Sequence, residues 1–306
     1  MVKSERAFVS AKLLILVALG AFAIFYVAIL LDSLRQRRST VQPDAAALPS
    51  PVQLATGFVT NFFDTLGIGS FATTTSIFKF LQMVPDRLIP GTLNVGHTLP
   101  VVFQAFIYIS VIEVDLTTLV LMVTAAVTGA WVGAGKVASL PRRAVQLGMA
   151  TVLLLAVAAM LMSQMELFPV GGEALELDGW RLAVGILGNF VFGAVSTLGA
   201  GFYAPCMILV SLLGMNPTAA FPIMMGSSAF LMPVASARFL RHGAYHRAAA
   251  VGLAAGGILA VPLAAFIVKS LPLAVLRWFV IAVVLYAAVL MLRSAAGDAL
   301  AARGKE

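Results

Sequence analysis

Aspartate, glutamate, lysine and arginine are missing from six long stretches of this 306-residue chain. A helix needs about 20 apolar residues to cross a hydrocarbon core of about 30 Å, so each stretch is long enough to cross a membrane. Helices and closed barrels alone satisfy their backbone in lipid, and these stretches do not alternate as barrel strands do. The pattern therefore predicts an all-α polytopic membrane protein. The stretches are residues 13–31, 88–112, 116–135, 144–165, 182–237 and 248–268.

The composition excludes a soluble domain. Only 11% of the residues are charged, whereas a soluble domain carries about a quarter. The net charge of +7 lies in short loops and flanks, so the positive-inside bias explains it without a nucleic-acid partner. The single cysteine, Cys206, lies in an apolar stretch and forms no intramolecular disulfide.

Two polar segments divide the chain. The first follows an apolar run too long for a cleaved signal peptide, which predicts a retained anchor helix. The second carries four carboxylates and is expected outside the cell. The expected organisation is an N-terminal anchor helix (1–32), a polar linker (33–50), a first repeat (51–163), an acidic external loop (164–180), a second repeat (181–293) and a cytoplasmic tail (294–306).

The two main halves repeat at a spacing of 132 residues. This shift places Thr65-Leu66-Gly67-Ile68-Gly69 on Thr197-Leu198-Gly199-Ala200-Gly201, and Pro85 on Pro217. Several matches in one register indicate an internal duplication. Duplication in a polytopic membrane protein points first to transport.

Segment lengths predict that the repeats are inverted. Residues 51–83 and 183–215 are too long for one crossing and too short for two, so a helical hairpin broken at the glycines fits best. Three further crossings then follow in each half, and an odd number inverts the second half. Equivalent loops also change sign, as inversion requires: Glu113 and Asp115 correspond to the basic segment 238–247. Residues 136–143 and 238–247 are expected in the cytoplasm.

The glycine pairs predict an anion site. A half-helix that begins after each pair directs free N–H groups and the positive end of its dipole towards the membrane centre. Threonine and serine hydroxyls could add donors, although they could instead bond back to their own helix. The glycines could also serve helix packing alone. The candidate substrate-binding residues are Asp64, Thr65, Gly67, Gly69, Ser70, Thr73, Thr74, Asn94, His97, Thr197, Gly199, Gly201, Tyr203, Cys206, Ser227 and Ser228.

Asp64 is the one carboxylate expected at membrane depth, where ionisable groups are costly and usually functional. It is expected to carry a proton or to pair with a cation bound with the substrate. The alternative is a structural carboxyl that ties the hairpin to its neighbour, for example through His97. Lys79 and Arg87 are expected to reach the membrane interface by snorkelling.

Enzyme signatures are missing from the sequence. It has no phosphate-binding glycine loop, HExxH or CxxC motif. His242 and His246 have helical metal-ligand spacing, but a solvated loop explains them more simply. We therefore expect no enzymatic activity, no catalytic residue, no cofactor and no metal.

The broken hairpins resemble a known family. The segments Gly57-Phe58…Leu66-Gly67-Ile68-Gly69 and Asn189-Phe190…Leu198-Gly199-Ala200-Gly201, with the short loops after 112 and 242, are similar to the TauE/SafE family of sulfite exporters and anion permeases. The resemblance covers about residues 51–293. It implies a multi-pass permease of the bacterial cell (inner) membrane for sulfite, sulfonates or related organic anions. The extra N-terminal helix and the Asp64–Thr65–Ser70 sequence depart from the usual hairpin.

The sequence thus predicts transport of a small anion by proton-linked alternating access within the lipid bilayer, with Asp64 and His97 coupling the movement to protons. Two alternatives stay open: a non-transporting membrane scaffold, and an intramembrane enzyme that uses Asp64 and His97. The sequence leaves open the particular anion, the direction of transport, the coupling ion, the orientation of the N-terminal helix and the oligomeric state.

Overall fold

The computed structural model describes residues 2–35, 48–67, 69–137, 139–167, 172–197, 202–216 and 219–267, with isolated positions between 278 and 296. These residues form an all-helical protein. A 3₁₀ turn (Asp86–Leu88) precedes the fourth helix. The α-helices are α1 (Val2–Arg35), α2 (Pro51–Thr65), α3 (Ser70–Phe80), α4 (Ile89–Val111), α5 (Leu116–Val137), α6 (Arg142–Gln164), α7 (Gly179–Ser196), α8 (Tyr203–Leu212), α9 (Ala220–His242) and α10 (Arg247–Ile267).

The polytopic helical class predicted from the charge-free stretches is confirmed. Six segments of the described residues are long and apolar enough to cross a membrane, and they belong to α1, α4, α5, α7, α9 and α10. The long stretch 182–237 divides into α7, α8 and α9. Most of the predicted tail (294–306), most of the last expected crossing and linker residues 36–47 lie outside the described residues.

Helices α2 to α5 and α7 to α10 pack in matching patterns. Helices α3, α4 and α5 begin 131–133 residues before α8, α9 and α10, close to the repeat spacing seen in the sequence. Helix α2 packs most extensively on α10, and its counterpart α7 packs most extensively on α5. Helices α4 and α9 pack on each other at the centre. The same pattern of helix contacts therefore occurs twice, at about the spacing of the sequence repeat.

Glycines bring the backbones of these helix pairs together. A Cβ atom on Gly129 of α5 would overlap the backbone of Phe190 on α7, and one on Gly193 of α7 would overlap the backbone of Ala126 on α5. In the equivalent pair, a Cβ on Gly256 of α10 would overlap the backbone of Leu54 on α2. Close packing of this kind holds helices together in lipid, where burial of apolar surface gives no driving force.

Gly129→Ala is expected to lower the free energy of unfolding by about 1–3 kcal/mol, because overpacking at a backbone contact forces the two helices apart. Gly135→Ala is the matched control on the same helix, since its new Cβ would lie 3.5 Å from the guanidinium of Arg238. Gly135→Ala should change the free energy of unfolding by less than about 0.5 kcal/mol. Thermal unfolding in detergent compares the two variants, and equal melting temperatures would contradict the packing argument.

The two ends of the helix bundle differ in charge. At one end, the Arg238 guanidinium lies over the Trp131 ring, 3.6 Å from its centroid, and the N–H of His246 donates to the Thr92 hydroxyl at 2.8 Å. We call this the basic end. At the other end, the N–H of Asp115 donates to the Leu175 carbonyl at 2.9 Å, which joins the acidic segments around 113–115 and 174–176. We call this the acidic end.

Helix α1 packs across both repeats. The Tyr26 hydroxyl donates to the Val95 carbonyl of α4 at 2.5 Å, and Phe22 packs edge-on against Phe230 of α9 with ring centroids 5.1 Å apart. The Ser33 hydroxyl lies 3.0 Å from the Tyr245 hydroxyl. Because α1 continues to Arg35, the helix runs slightly past the predicted boundary at residue 32.

The snorkelling prediction for Lys79 is wrong. Its ammonium donates to Asp86 Oδ1 at 2.7 Å, and both side chains are less than a tenth exposed. The Gln146 amide of α6 donates to the other carboxylate oxygen at 2.9 Å. A carboxylate close by in the fold removes the need for this cation to reach water. Arg87, by contrast, is exposed.

Candidate functional site

The helix interruption predicted at the first glycine pair is confirmed. Helix α2 ends at Thr65 and α3 begins at Ser70, and both glycines between them have positive φ, +83° at Gly67 and +90° at Gly69. With ψ at 131°, Gly69 occupies a region that is almost restricted to glycine. In the second repeat, Gly199 and Gly201 lie outside the described residues, between the end of α7 and the start of α8.

A cavity lies beside the turn between α2 and α3, and residues from the end of α7 and the start of α8 also line it. Three pairs of its lining residues are 132 positions apart, so equivalent positions of both repeats meet there. These pairs are Asp64 with Ser196, Ser70 with Phe202, and Phe71 with Tyr203. The other described residues of the lining are Gly69, Val101, Ser228, Leu231 and Met232.

The cavity is narrow and carries one ionisable carboxyl group. The space open to the centre of a water molecule is about 20 Å³, which is enough for about one water. Among the described lining residues, Asp64 is the only acidic side chain, and none is lysine, arginine or histidine. The described residues leave little room beside Asp64, so a sulfite-sized anion would require the cavity to widen.

Three donors surround the Asp64 carboxylate. The N–H of Ser70, the first residue of α3, donates to Oδ1 at 2.5 Å. The Gln104 amide of α4 donates to Oδ2 at 3.0 Å, and the Tyr203 hydroxyl of α8 lies 3.3 Å from the same oxygen. Tyr203 also lies within donating distance of Gln104 Oε1, at 3.1 Å. The carboxylate thus links α2, α3 and α4 of the first repeat to α8 of the second.

His97 belongs to a separate cluster. Its Nδ1 lies 3.0 Å from Asn61 Oδ1, and its Nε2 lies 3.0 Å from the Thr74 hydroxyl. Because Asn61 Nδ2 donates to the Gly57 carbonyl, Asn61 Oδ1 is the acceptor and His97 Nδ1 carries the proton. Thr74 then donates to Nε2. Both nitrogens of a neutral His97 are satisfied by these partners rather than by Asp64.

The structure brings some of the predicted residues to the cavity and not others. Asp64, Gly69, Ser70, Tyr203 and Ser228 line it. Three predicted threonine hydroxyls instead bond back to their own helix or turn, as the alternative explanation held. They are Thr65 to the Asn61 carbonyl, Thr73 to the Gly69 and Ser70 carbonyls, and Thr197 to the Ala194 carbonyl.

The remaining described candidates do not line the cavity. Asn94 donates to the Pro90 carbonyl, while its Oδ1 has no partner among the described residues. Ser227 accepts from Asn189 at 3.3 Å. Cys206 is buried in α8, and Gly67 lies in the turn against the Phe221 ring.

Sequence reasoning missed Gln104, Phe71 and Ser196 as site residues. The repeat spacing carried the signal for two of them, since Ser196 is the counterpart of Asp64 and Phe71 is the counterpart of Tyr203. Gln104 shares a face of α4 with His97, but only the packed structure shows that this residue reaches the carboxylate.

The helices and their polar interior define a multi-pass membrane protein. The model of the sulfite exporter TauE/SafE family matches residues 181–305, so the family resemblance inferred from the sequence is confirmed in this part of the chain. The match covers the second repeat and the tail. No curated protein and no solved structure gives a significant match.

Proposed function

We propose that the protein is a permease that carries a small anion across the bacterial cytoplasmic membrane by proton-linked alternating access. Sulfite, a sulfonate or a related organic anion is the proposed substrate, in keeping with the family that residues 181–305 match. The observation that carries the proposal is the cavity beside the turn between α2 and α3, lined by equivalent residues of both repeats.

Contacts at the two ends of the bundle support helical hairpins of opposite orientation. A Cβ on Gly252, near the basic-end start of α10, would contact Gln53 at the start of α2. Helix α3 also ends near the basic end, because Lys79 in its last turn bonds to Asp86, which lies just before α4. The second hairpin begins and ends at the acidic end. Just before α7, the N–H of Leu177 donates to the Thr118 hydroxyl near the start of α5. Just after α8, the N–H of Asn216 donates to the Ala174 carbonyl.

The directions of α4 and α9 support inversion of the repeats. Helix α4 ends close to the acidic segment that precedes α5. Its counterpart α9 ends at the basic end, where Arg238 stacks on Trp131 of α5. Inverted repeats around a central site are a common basis for alternating access, in which one side opens as the other closes. This role gives the buried polar groups a purpose that a scaffold would not.

The N-terminus of α3 supports an anion as the substrate. Its first N–H group already binds a carboxylate oxygen inside the cavity, and helix N-termini stabilise negative charge. Asp64 is the proposed proton carrier. The neutral, satisfied His97 is more suited to holding α3 against α4 than to exchanging protons. An intramembrane enzyme using both groups is less favoured, because they lie in separate hydrogen-bond clusters.

Ser70→Pro tests the anion site directly. Proline fits the first position of a helix but removes its N–H, so transport of sulfite or ethanesulfonate should fall at least about tenfold, the effect of losing about 1.4 kcal/mol of binding. Leu116→Pro is the matched control, because Leu116 is the first residue of α5 at the acidic end. Flux into proteoliposomes measures both variants. Wild-type flux in folded Ser70→Pro protein would contradict the proposed site.

A further inference from the structure

An internal carboxylate already occupies the anion-binding end of α3. Asp64 Oδ1 accepts the Ser70 N–H, and the preceding residue, Gly69, offers no side chain to cap the helix. An anion from solution that used this N–H would have to replace the Asp64 oxygen. The carboxylate is thus bound where the substrate is proposed to bind.

Ser228 gives a second indication of a ligand in this cavity. Its side chain is 4% exposed and lines the cavity from α9 of the second repeat. The hydroxyl interacts with Tyr203, but no described residue lies in hydrogen-bonding geometry to its oxygen. A buried hydroxyl normally finds a partner, so this group points to a polar ligand between the repeats.

Electrostatic repulsion prevents the ionised carboxylate and an anion from sharing the cavity. Two like charges about 4 Å apart, at an effective dielectric constant of about 20, repel enough to weaken binding about a thousandfold. Among the described residues, Tyr108 of α4 and Tyr203 of α8 are ionisable groups that interact with Asp64, and neither supplies a compensating positive charge. Protonation of Asp64 removes the repulsion and adds a hydrogen-bond donor.

We infer that ionised Asp64 is a built-in competitor of the transported anion. The anion binds when Asp64 takes up a proton and releases the Ser70 N–H, so each bound anion brings one proton into the site. Release of both restores the Asp64–Ser70 bond and the link to Gln104 and Tyr203. This inference rests on the proposed function and specifies how the same site couples the anion to the proton.

Binding of ethanesulfonate to purified protein tests the inference. This anion keeps a constant charge between pH 6 and 8, so only the protein changes protonation. Wild-type affinity is expected to fall with rising pH, by up to about tenfold per pH unit above the titration of Asp64. Asp64→Asn imitates the protonated carboxyl, and its affinity should change by less than about twofold over the same range. Glu113→Gln removes an exposed carboxylate outside the cavity and should keep the wild-type dependence.

Proton uptake by wild-type protein provides an independent measurement that needs no variant. In weak buffer near pH 8, binding should remove about one proton from solution for each ethanesulfonate bound. Binding that is independent of pH and takes up no proton would overturn the inference and leave the proposed function standing. If wild-type protein binds neither ethanesulfonate nor sulfite at any pH, the proposed function fails and the inference fails with it.

Discussion

Gly69→Ala protein is expected to fold but to transport the anion at least tenfold more slowly than wild type. Nothing lies within 4 Å of a Cβ atom built on Gly69, so the methyl group itself fits. Alanine rarely adopts a backbone conformation with φ at +90°, and the strain costs about 1–3 kcal/mol. Relief of that strain would turn the Ser70 N–H away from the cavity, which weakens the proposed anion site.

Flux of sulfite and ethanesulfonate into proteoliposomes measures this effect, and gel filtration in detergent checks that the protein is folded. Gly20→Ala is the control, because its Cβ would make an ordinary 3.9 Å contact with Phe106 and the residue lies within α1. If Gly69→Ala protein transports at the wild-type rate, the turn between α2 and α3 does not position the site.

Lys79→Met is expected to destabilise the protein by about 3–5 kcal/mol, the usual result of removing one partner from a buried ion pair. The change takes away the cation 2.7 Å from Asp86 and leaves the carboxylate at a site where it is 7% exposed. Methionine keeps much of the volume of the lysine side chain, so the loss is electrostatic. Because the pair joins the end of α3 to the turn before α4, the end of the first hairpin should loosen.

A double-mutant cycle separates the ion pair from packing. Asp86→Asn in the Lys79→Met background removes the negative charge that Lys79 faced and still offers an oxygen to the Gln146 amide. The double variant should therefore be more stable than Lys79→Met alone in detergent unfolding experiments. Additive losses from the two changes would show that the charges do not stabilise each other.

The helices were predictable because membrane depth leaves a simple signal in sequence. Charge-free stretches located α4, α5, α6 and α10 within a few residues, and the Gly67/Gly69 pair located the interruption between α2 and α3. Both features follow from local chemistry: apolar residues for the lipid, and glycine where the backbone needs positive φ.

The hydrogen-bond partners were not predictable in the same way. The bond from Ser70 to Asp64 depends on how the turn folds back, and Gln104 and Tyr203 come from helices far along the chain. The snorkelling prediction for Lys79 failed for a related reason, since its partner Asp86 meets it only after α3 has packed. The repeat spacing helped where local rules could not, because it relates Asp64 to Ser196 on the opposite side of the cavity.

Helix α1 implies an order of assembly. Its hydrogen-bond partners Val95 and Tyr245 are made 69 and 212 residues after Tyr26 and Ser33, so α1 enters the bilayer well before they exist. Its span, Lys12–Ser33, is apolar enough to remain in lipid alone. Because it rests on one helix from each repeat, this docking surface is complete only after α9 has inserted. Helix α1 is thus made before both of its partners and can complete its contacts only after them.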